Sequence, residues 1–214
     1  MPDIDLAQIL FAFIVLLFSL TVHECAHAWT ADRLGDPTAR LLGRVSLNPW
    51  VHADLIGTIL FPLVAMVANA PLIGWAKPVP VNVNRLRHHR RDYVLVAAAG
   101  PASNLVLAVS VAIALQLLPV SPVRLGEPNI SVPVAQLLSQ ALRLNVLLAV
   151  FNMIPIPPLD GGNVLSGLLP PAIGKRFDMF IRPYGFILLY AVILTPAFDY
   201  LVVPPFRMLL SWLQ

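Results

Sequence analysis

The stretch "LAQILFAFIVLLFSLTVHECAHAW", residues 6–29, is apolar for most of its length and ends in a cluster of ionisable side chains. It is long enough to cross a bilayer as a helix, which takes roughly 20 residues. Of the 214 residues in the chain, 58% are hydrophobic and 12% are charged, about half the charged fraction of a typical soluble domain. The sequence therefore predicts an integral membrane protein.

The charge distribution restricts the classes of partner. The formal net charge is +3 at pH 7, and it comes from short clusters of arginine. A basic surface interleaved with aromatic residues, which is typical of nucleic-acid binding, is not present in the sequence. We therefore expect the lipid bilayer, and no nucleic acid, as a partner. No pattern in the sequence indicates the oligomeric state.

Further apolar runs follow the first along the chain. Residues 55–75 are apolar, but Pro62, Pro71 and Gly74 interrupt them, so a regular helix is not expected throughout. This run is also too short for two full helical crossings. The remaining apolar runs are residues 93–118, 134–154 and 184–197.

Basic residues indicate which loops lie in the cytoplasm. They cluster at residues 33–44, 85–91 and 175–182, whereas the N-terminus and residues 119–133 are poor in lysine and arginine. The positive-inside rule places all three clusters in the cytoplasm, which requires residues 55–75 to enter and leave the membrane on one side. We therefore predict a re-entrant segment there. The alternative is a true crossing, which would leave one basic cluster outside.

His23 and His27 lie four positions apart at the end of the first apolar run, with Glu24 between them. On a helix, residues four apart share a face, so the two imidazoles can hold one metal ion. Glu24 then lies beside the metal, where its carboxylate can take a proton from water. The alternative is a helix end whose polar side chains simply meet water, although ionisable residues at membrane depth are by default functional.

A third metal ligand has to come from elsewhere in the chain, because catalytic zinc usually takes three protein ligands. Asp160 follows an apolar run that ends on the same side of the membrane as His23 and His27, which makes it the favoured candidate. Its alternative role is to form a turn or to cap a helix before Gly161. The other candidates are His52, Asp54, His88 and His89, of which the last two lie within the basic run "RLRHHRR".

The stretch "FNMIPIPPLDGG", residues 151–162, begins within the apolar run of residues 134–154 and extends beyond its end. Pro155, Pro157 and Pro158 cannot continue a regular helix, so the backbone has to open here. Open backbone within a membrane exposes carbonyl and amide groups that need partners. Such a stretch could pair with an extended substrate segment, or it could simply end a helix.

Three motifs together resemble the site-2 proteases, the intramembrane zinc metalloproteases. They are HECAH at residues 23–27, GPASN at 100–104 and FNMIPIPPLDGG at 151–162, and they occur in the order typical of that family. The resemblance covers roughly residues 6–170. The chain resembles a minimal form of the family, without a PDZ or CBS domain.

The resemblance implies roles for individual residues. His23, His27 and Asp160 would bind one zinc ion per chain, and Glu24 would be the general base. Asn152 matches a family asparagine that helps to hold the substrate or to stabilise the oxyanion, although an asparagine within a span often joins two helices instead.

Four further residues are candidates with less defined roles. Gly100 and Asn104 match the motif of the family's central span, where a packing role for Gly100 is as well supported as a functional one. His52, Asp54 and Asn104 are predicted as possible residues lining the cavity of the active site.

The predicted fold is an all-α polytopic membrane protein. The resemblance implies that three transmembrane helices form its core and that a re-entrant, partly β segment follows the first of them; further helices complete the C-terminus. We expect residues 1–214 to form a single integral-membrane metalloprotease domain, with the core at about 6–170 and C-terminal helices at about 175–214.

The predicted activity is that of an intramembrane zinc metalloendopeptidase, which cleaves transmembrane segments of membrane-protein substrates in regulated intramembrane proteolysis. One alternative is a membrane zinc peptidase that acts on soluble or lipid-anchored peptides. Another is a non-catalytic metal-binding membrane protein, against which Glu24 argues because a structural metal site needs no adjacent base. We expect the protein in a prokaryotic cell membrane, with its active site toward the cytoplasmic side.

Overall fold

The computed structural model describes residues 6–67, 74–118 and 131–214. Within these residues, four helical segments are long and apolar enough to cross a membrane. They are Leu10–Arg33, His89–Leu117, Ser131–Asn152 and Pro171–Leu194. The chain therefore has the architecture of a helical, polytopic membrane protein, as predicted.

The helices are numbered here in chain order. The α-helices are α1 (Leu6–Arg33), α2 (Thr38–Leu41), α3 (Pro49–His52), α4 (Phe61–Val67), α5 (His89–Leu117), α6 (Ser131–Asn152), α7 (Asp160–Leu168), α8 (Pro171–Phe180), α9 (Gly185–Leu194), α10 (Ala197–Leu201) and α11 (Val203–Leu213). A π-helix covers Leu55–Leu60, and 3-10 turns cover Val83–Arg85 and Arg182–Tyr184.

The helices α1, α5 and α6 pack against one another at the centre of the described structure. Small residues allow this close approach: Ala108 and Ala112 of α5 lie buried against Leu142 and Val146 of α6. Lipid tails are as apolar as leucine, so helices in a bilayer associate through such close packing rather than through the hydrophobic effect. This packing determines which faces of α1, α5 and α6 meet inside the bundle.

The run predicted to be re-entrant brings its two ends together. Asp54 starts the π-helix, because its carboxylate accepts hydrogen bonds from the backbone N–H groups of Ile56 and Gly57 at 3.0 and 2.7 Å. The backbone N–H of Trp75 then donates to the carbonyl of Gly57 at 3.1 Å. Residues 57 and 75 therefore lie side by side, which does not decide between a re-entrant segment and a true crossing; Pro71 lies outside the described residues.

The β structure expected in this segment is not confirmed in the residues that the structure describes. The stretch of residues 74–82 contains no helix, but its backbone N–H groups donate to separate acceptors rather than to a second strand. Lys77 donates to the carbonyl of His52 at 2.8 Å, and Asn82 donates to the Asp36 carboxylate at 2.6 Å. Pro78 and Pro80 have no N–H group to contribute to a ladder.

The chain opens after α6, as the prolines predict. Residues 153–159 run in turns, and α7 then begins at Asp160. Gly161 lets the chain fold back on itself, because a Cβ at this position would lie 2.3 Å from the carbonyl oxygen of Met153. A side chain there would therefore push Asp160 away from the bundle.

Arg90, in the first turn of α5, fixes the far end of α7. Its Nη2 donates to the carbonyl oxygens of Ser166 at 3.1 Å and Gly167 at 3.2 Å, and also to that of Leu169. The last carbonyls of a helix have no intrahelical partner, so these hydrogen bonds satisfy groups that would otherwise need water. The C-terminal end of α7 is thereby held against the start of α5.

Candidate metal centre

Side chains from two helices meet inside the bundle. His23 and His27, one turn apart on α1, place their Nε2 atoms 3.1 Å from each other. Asp160, at the start of α7, brings its Oδ2 to 3.1 Å from Nε2 of His23 and 3.3 Å from Nε2 of His27. Among the residues that the structure describes, these three form the one group of histidine, cysteine or acidic side chains able to hold a metal ion.

The second nitrogen of each imidazole shows how the rings are protonated. His27 donates from Nδ1 to the backbone carbonyl of Val96 at 2.7 Å, and His23 donates from Nδ1 to Oδ1 of Asn104 at 2.6 Å. Carbonyl and amide oxygens only accept hydrogen bonds, so the proton of each neutral ring lies on Nδ1. Each Nε2 then presents a lone pair toward Asp160, which is the arrangement of a metal-binding histidine.

A chain of hydrogen bonds fixes the orientation of the Asn104 amide. Asn145 of α6 donates from Nδ2 to the backbone carbonyl of Ala141 at 2.9 Å, so its Oδ1 accepts from Nδ2 of Asn104, also at 2.9 Å. Oδ1 of Asn104 consequently faces His23. Asn145 also donates to Oγ of Ser19 on α1 at 2.9 Å. Buried hydrogen bonds that join α1, α5 and α6 therefore orient the imidazole of His23.

The three converging atoms fit a divalent metal ion. Oδ2 of Asp160 is buried and faces the Nε2 atoms of both histidines, which carry no proton when the rings are neutral. Three lone pairs held 3.1–3.3 Å apart then repel one another unless a proton or a metal cation lies between them. Tetrahedral zinc, with bonds of roughly 2.0–2.2 Å to nitrogen and oxygen, separates its ligand atoms by about 3.4 Å.

Gly100 of α5 provides the space for this centre. A Cβ at position 100 would lie 2.3 Å from Nε2 of His27 and 2.5 Å from Nε2 of His23. Any other residue would therefore place an atom against both ligand nitrogens. Gly100 lies directly beside both Nε2 atoms, which distinguishes it from a glycine that serves helix packing alone.

Glu24 lies on α1 next to His23, the first of the two candidate metal-binding histidines. It is 9% exposed, and its Oε2 accepts a hydrogen bond from the backbone N–H of Val79 at 3.0 Å. Val79 stands between Pro78 and Pro80, so it is the one backbone donor of these three residues. The other carboxylate oxygen has no partner among the described residues, which leaves it available to a proton donor.

Comparison with known proteins identifies the family. The model of Peptidase family M50 matches residues 11–131 and 119–195, which include His23, Glu24, His27 and Asp160. The chain belongs to peptidase family M50, the site-2 proteases. The resemblance predicted from the three motifs is thus confirmed. No solved structure gave a significant match to the chain.

Two relatives of this M50 chain carry names that refer to zinc. "Putative zinc metalloprotease YwhC" of Bacillus subtilis is 38% identical over 191 residues, which cover 89% of this chain and 83% of the relative. "Putative zinc metalloprotease Rip2" of Mycolicibacterium smegmatis is 30% identical over 189 residues, which cover 86% of this chain and 66% of the relative.

The other candidate residues of the M50 chain lie outside the group of three ligands. Asn152, at the end of α6, is half-buried and donates from Nδ2 to the carbonyl of Leu148 at 3.0 Å. His52 is 1% exposed and donates from Nε2 to the carbonyl of Ser46 at 2.8 Å. Asp54 caps the π-helix.

Asn104 and Asn145 have structural roles that sequence reasoning missed. Asn104 is 0% exposed and hydrogen-bonded to His23, where a residue lining the cavity was expected. Asn145 was not recognised as a candidate at all. The signal that could have found it is a polar residue within an apolar run, seven positions before Asn152 and therefore close to the same helix face.

Replacing Gly100 with alanine should prevent metal binding and abolish peptidase activity. The added methyl group would overlap Nε2 of both histidines, and α1 cannot retreat from α5 without losing the hydrogen bonds of Asn104. Zinc content per purified chain, measured by plasma mass spectrometry, checks the metal, and a cleavage assay checks the activity. The matched control is Gly167→Ala, whose methyl group would meet the end of the Val94 side chain instead. Full zinc content in Gly100→Ala would contradict the position assigned to the metal.

Proposed function

We propose that this M50 chain is an intramembrane zinc endopeptidase, which hydrolyses peptide bonds within transmembrane segments of membrane-protein substrates, as in regulated intramembrane proteolysis. The depth of the metal centre carries the proposal. Gly100, beside both imidazoles, lies eleven residues after the start of α5, about 16 Å along its axis. His27 lies six residues before the end of α1, about 9 Å along that helix. A centre at this depth is suited to a substrate segment that is itself inside the bilayer.

Different residues of the site would bind the metal and transfer the proton during peptide hydrolysis. Zinc, when bound, supplies Lewis-acid polarisation of the peptide carbonyl and favours the deprotonation of water. His23, His27 and Asp160 would hold the metal. Glu24 takes a proton from the attacking water on its free oxygen and passes it to the leaving amine. The N–H of Val79 keeps this carboxylate in position while the proton moves.

The end of α6 and the non-helical residues 153–159 that follow it would bind the substrate. Asn152 uses one of its two Nδ2 protons on the carbonyl of Leu148, so the other can stabilise the developing oxyanion of the substrate. Residues 153–159 offer backbone groups for pairing with an extended substrate. The substrate helix has to unwind locally, so we expect helix-breaking residues close to its cleavage site.

The basic residues at the helix ends support an orientation in a prokaryotic cell membrane. Arg33 ends α1, and Arg90 and Arg91 lie in the first turn of α5. These are the ends nearer to the metal centre, and the positive-inside rule places them in the cytoplasm. We therefore propose that the active site opens toward the cytoplasmic side.

A comparison of two substrates that share one scissile sequence tests the activity. A single-span peptide with a glycine–proline pair in its cytoplasmic half and a short water-soluble peptide with the same pair would be incubated with the chain in liposomes. We expect cleavage of the spanning peptide at the helix-breaking pair, with little cleavage of the soluble one, as read by mass spectrometry. A panel that moves the pair along the span would show whether cleavage is confined to the depth of the metal centre.

The outcomes separate the proposal from its alternatives. Equal cleavage of both peptides would favour a membrane peptidase that acts on soluble or lipid-anchored substrates. Zinc binding without cleavage of any spanning peptide, across the whole panel of depths, would favour a non-catalytic metal-binding protein.

A further inference from the structure

Four polar residues form a stripe on α6 that peptide hydrolysis does not use. They are Gln136, Ser139, Gln140 and Arg143, and we call them the polar stripe. Their separations of three and four positions place them on one face of the helix. Gln136 and Arg143 are exposed, whereas Ser139 and Gln140 are half-buried. An exposed polar face is unexpected on a helix that is otherwise apolar enough to span a membrane.

Arg143 lies in the middle of this span. It is twelve residues after Ser131 and nine before Asn152, about 18 and 14 Å from the two ends of α6. The hydrocarbon core of a bilayer is about 30 Å thick, so neither headgroup region lies within reach of its side chain. Arg207 is also an exposed arginine on a helix, but it differs from Arg143 in its setting. Its helix, α11, has only 11 residues, too few to place Arg207 at the middle of a bilayer by length alone.

Two groups of the polar stripe have no hydrogen-bond partner within the part of the chain that the structure describes. The guanidinium of Arg143 takes part in no hydrogen bond or ion pair there. Oε1 of Gln140, one turn nearer to the start of α6, is buried and receives no hydrogen bond. Side chains on a helix tilt toward its N-terminus, so Arg143 leans toward Gln140. A strong donor and an unused acceptor thus lie next to each other at membrane depth.

The polar stripe faces away from the metal centre. Asn145, which hydrogen-bonds to Asn104 inside the bundle, follows Arg143 by two positions, a rotation of about 200° around the helix. A helix bound at Arg143 therefore packs on the outer surface of α6. A substrate segment at the zinc ligands would lie on the opposite side.

We propose that the polar stripe binds a transmembrane helix of a second membrane protein, which carries an aspartate or glutamate at mid-bilayer depth and is not itself cleaved. A cation in the bilayer core is costly unless it is paired. Water and lipid phosphate are absent at this depth, so the anion has to be carried there by another transmembrane segment. A carboxylate satisfies the guanidinium with two parallel hydrogen bonds.

Binding of model helices by the full chain in liposomes tests this surface. The probes are leucine–alanine transmembrane peptides with one central glutamate, glutamine or arginine, and binding is read as energy transfer between dyes on chain and peptide. We expect the wild-type chain to bind the glutamate peptide about tenfold more tightly than the glutamine peptide. Arg143→Gln should lose this preference, and Arg143→Glu should prefer the arginine peptide instead.

The exchange of preference in Arg143→Glu cannot arise from misfolding, because each chain is compared with itself. Arg85→Gln, which removes an exposed arginine from the turn before α5, serves as the matched control and should bind like the wild type. Equal binding of the glutamate and glutamine peptides by the wild-type chain would overturn the proposal. Cleavage of the bound peptide would overturn it in favour of a substrate, and self-association lost in Arg143→Gln would overturn it in favour of a second copy.

Discussion

Glu24→Gln should abolish peptide cleavage while the chain retains its zinc. Glutamine preserves the shape of the side chain and can still accept the hydrogen bond from Val79 through its amide oxygen. It cannot take a proton from water at neutral pH, and a positioned general base contributes roughly 10²–10⁴-fold to a rate. Cleavage of a spanning peptide in liposomes and zinc content per chain should both be measured on the same preparation.

The sequence provides a matched control for this substitution. Glu127 is the one other glutamate of the chain, and Glu127→Gln makes the same chemical change in a stretch outside the described residues. We expect this control to cleave at the wild-type rate. Cleavage by Glu24→Gln at that rate would show that another group takes the proton, whereas loss of zinc would show that Glu24 supports the metal.

The long helices were predictable because hydrophobic length is a strong signal in a membrane protein. The runs at residues 93–118 and 134–154 correspond to α5 and α6, with bounds that differ by a few residues. At the start of α5 the helix extends back into the basic cluster, where Asp92 accepts a hydrogen bond from the backbone N–H of His88 at 2.7 Å. Hydropathy detects the apolar part of such a helix and misses the polar turn that begins it.

The histidine pair on α1 was predictable from local spacing, whereas the residues that orient it were not. His23 and His27 lie one helical turn apart, and this spacing of four residues can be read directly from the sequence. Asn104 and Asn145 act through contacts between α1, α5 and α6, and only the packing of three helices reveals which acceptor each amide faces. The role of Gly100 also depends on the packing of two helices. Gly100 lies on α5, whereas the imidazole atoms for which it leaves room belong to α1.

The segment after α1 shows a different limit of sequence reasoning. Alternating prolines and β-branched residues in "KPVPVNV", residues 77–83, favour extended backbone but do not determine what pairs with it. In the structure its donors reach the carbonyl of His52, at the end of α3, and the side chains of Glu24 and Asp36. Part of the segment expected to be partly β therefore holds the carboxylate proposed as the general base.

Asp160→Ala should reduce zinc affinity by more than about 100-fold, since loss of groups that merely support a ligand already costs 10–100-fold. The substitution leaves two histidines, whose Nε2 atoms are 3.1 Å apart, without the third atom that completes the site. Titration of the metal-free chain with zinc in the presence of a competing chelator measures the difference. Asp199→Ala removes an exposed carboxylate from α10 and is the matched control. Full affinity in Asp160→Ala would direct attention to His52 and Asp54 as the third ligand.

Thermal unfolding separates loss of zinc affinity from loss of folding. Without metal, Oδ2 of Asp160 lies 3.1 Å from Nε2 of His23 and 3.3 Å from Nε2 of His27, where a protonated imidazole can donate a hydrogen bond to it. Asp160→Ala removes this contact, so the metal-free variant should unfold at a slightly lower temperature than the metal-free wild type. A metal at 100 times its dissociation constant stabilises the folded state by about 2.7 kcal/mol, so zinc should raise the Tm of the wild type but not that of the variant. A metal-free variant that shows no cooperative unfolding would instead indicate that its loss of zinc affinity comes from loss of folding.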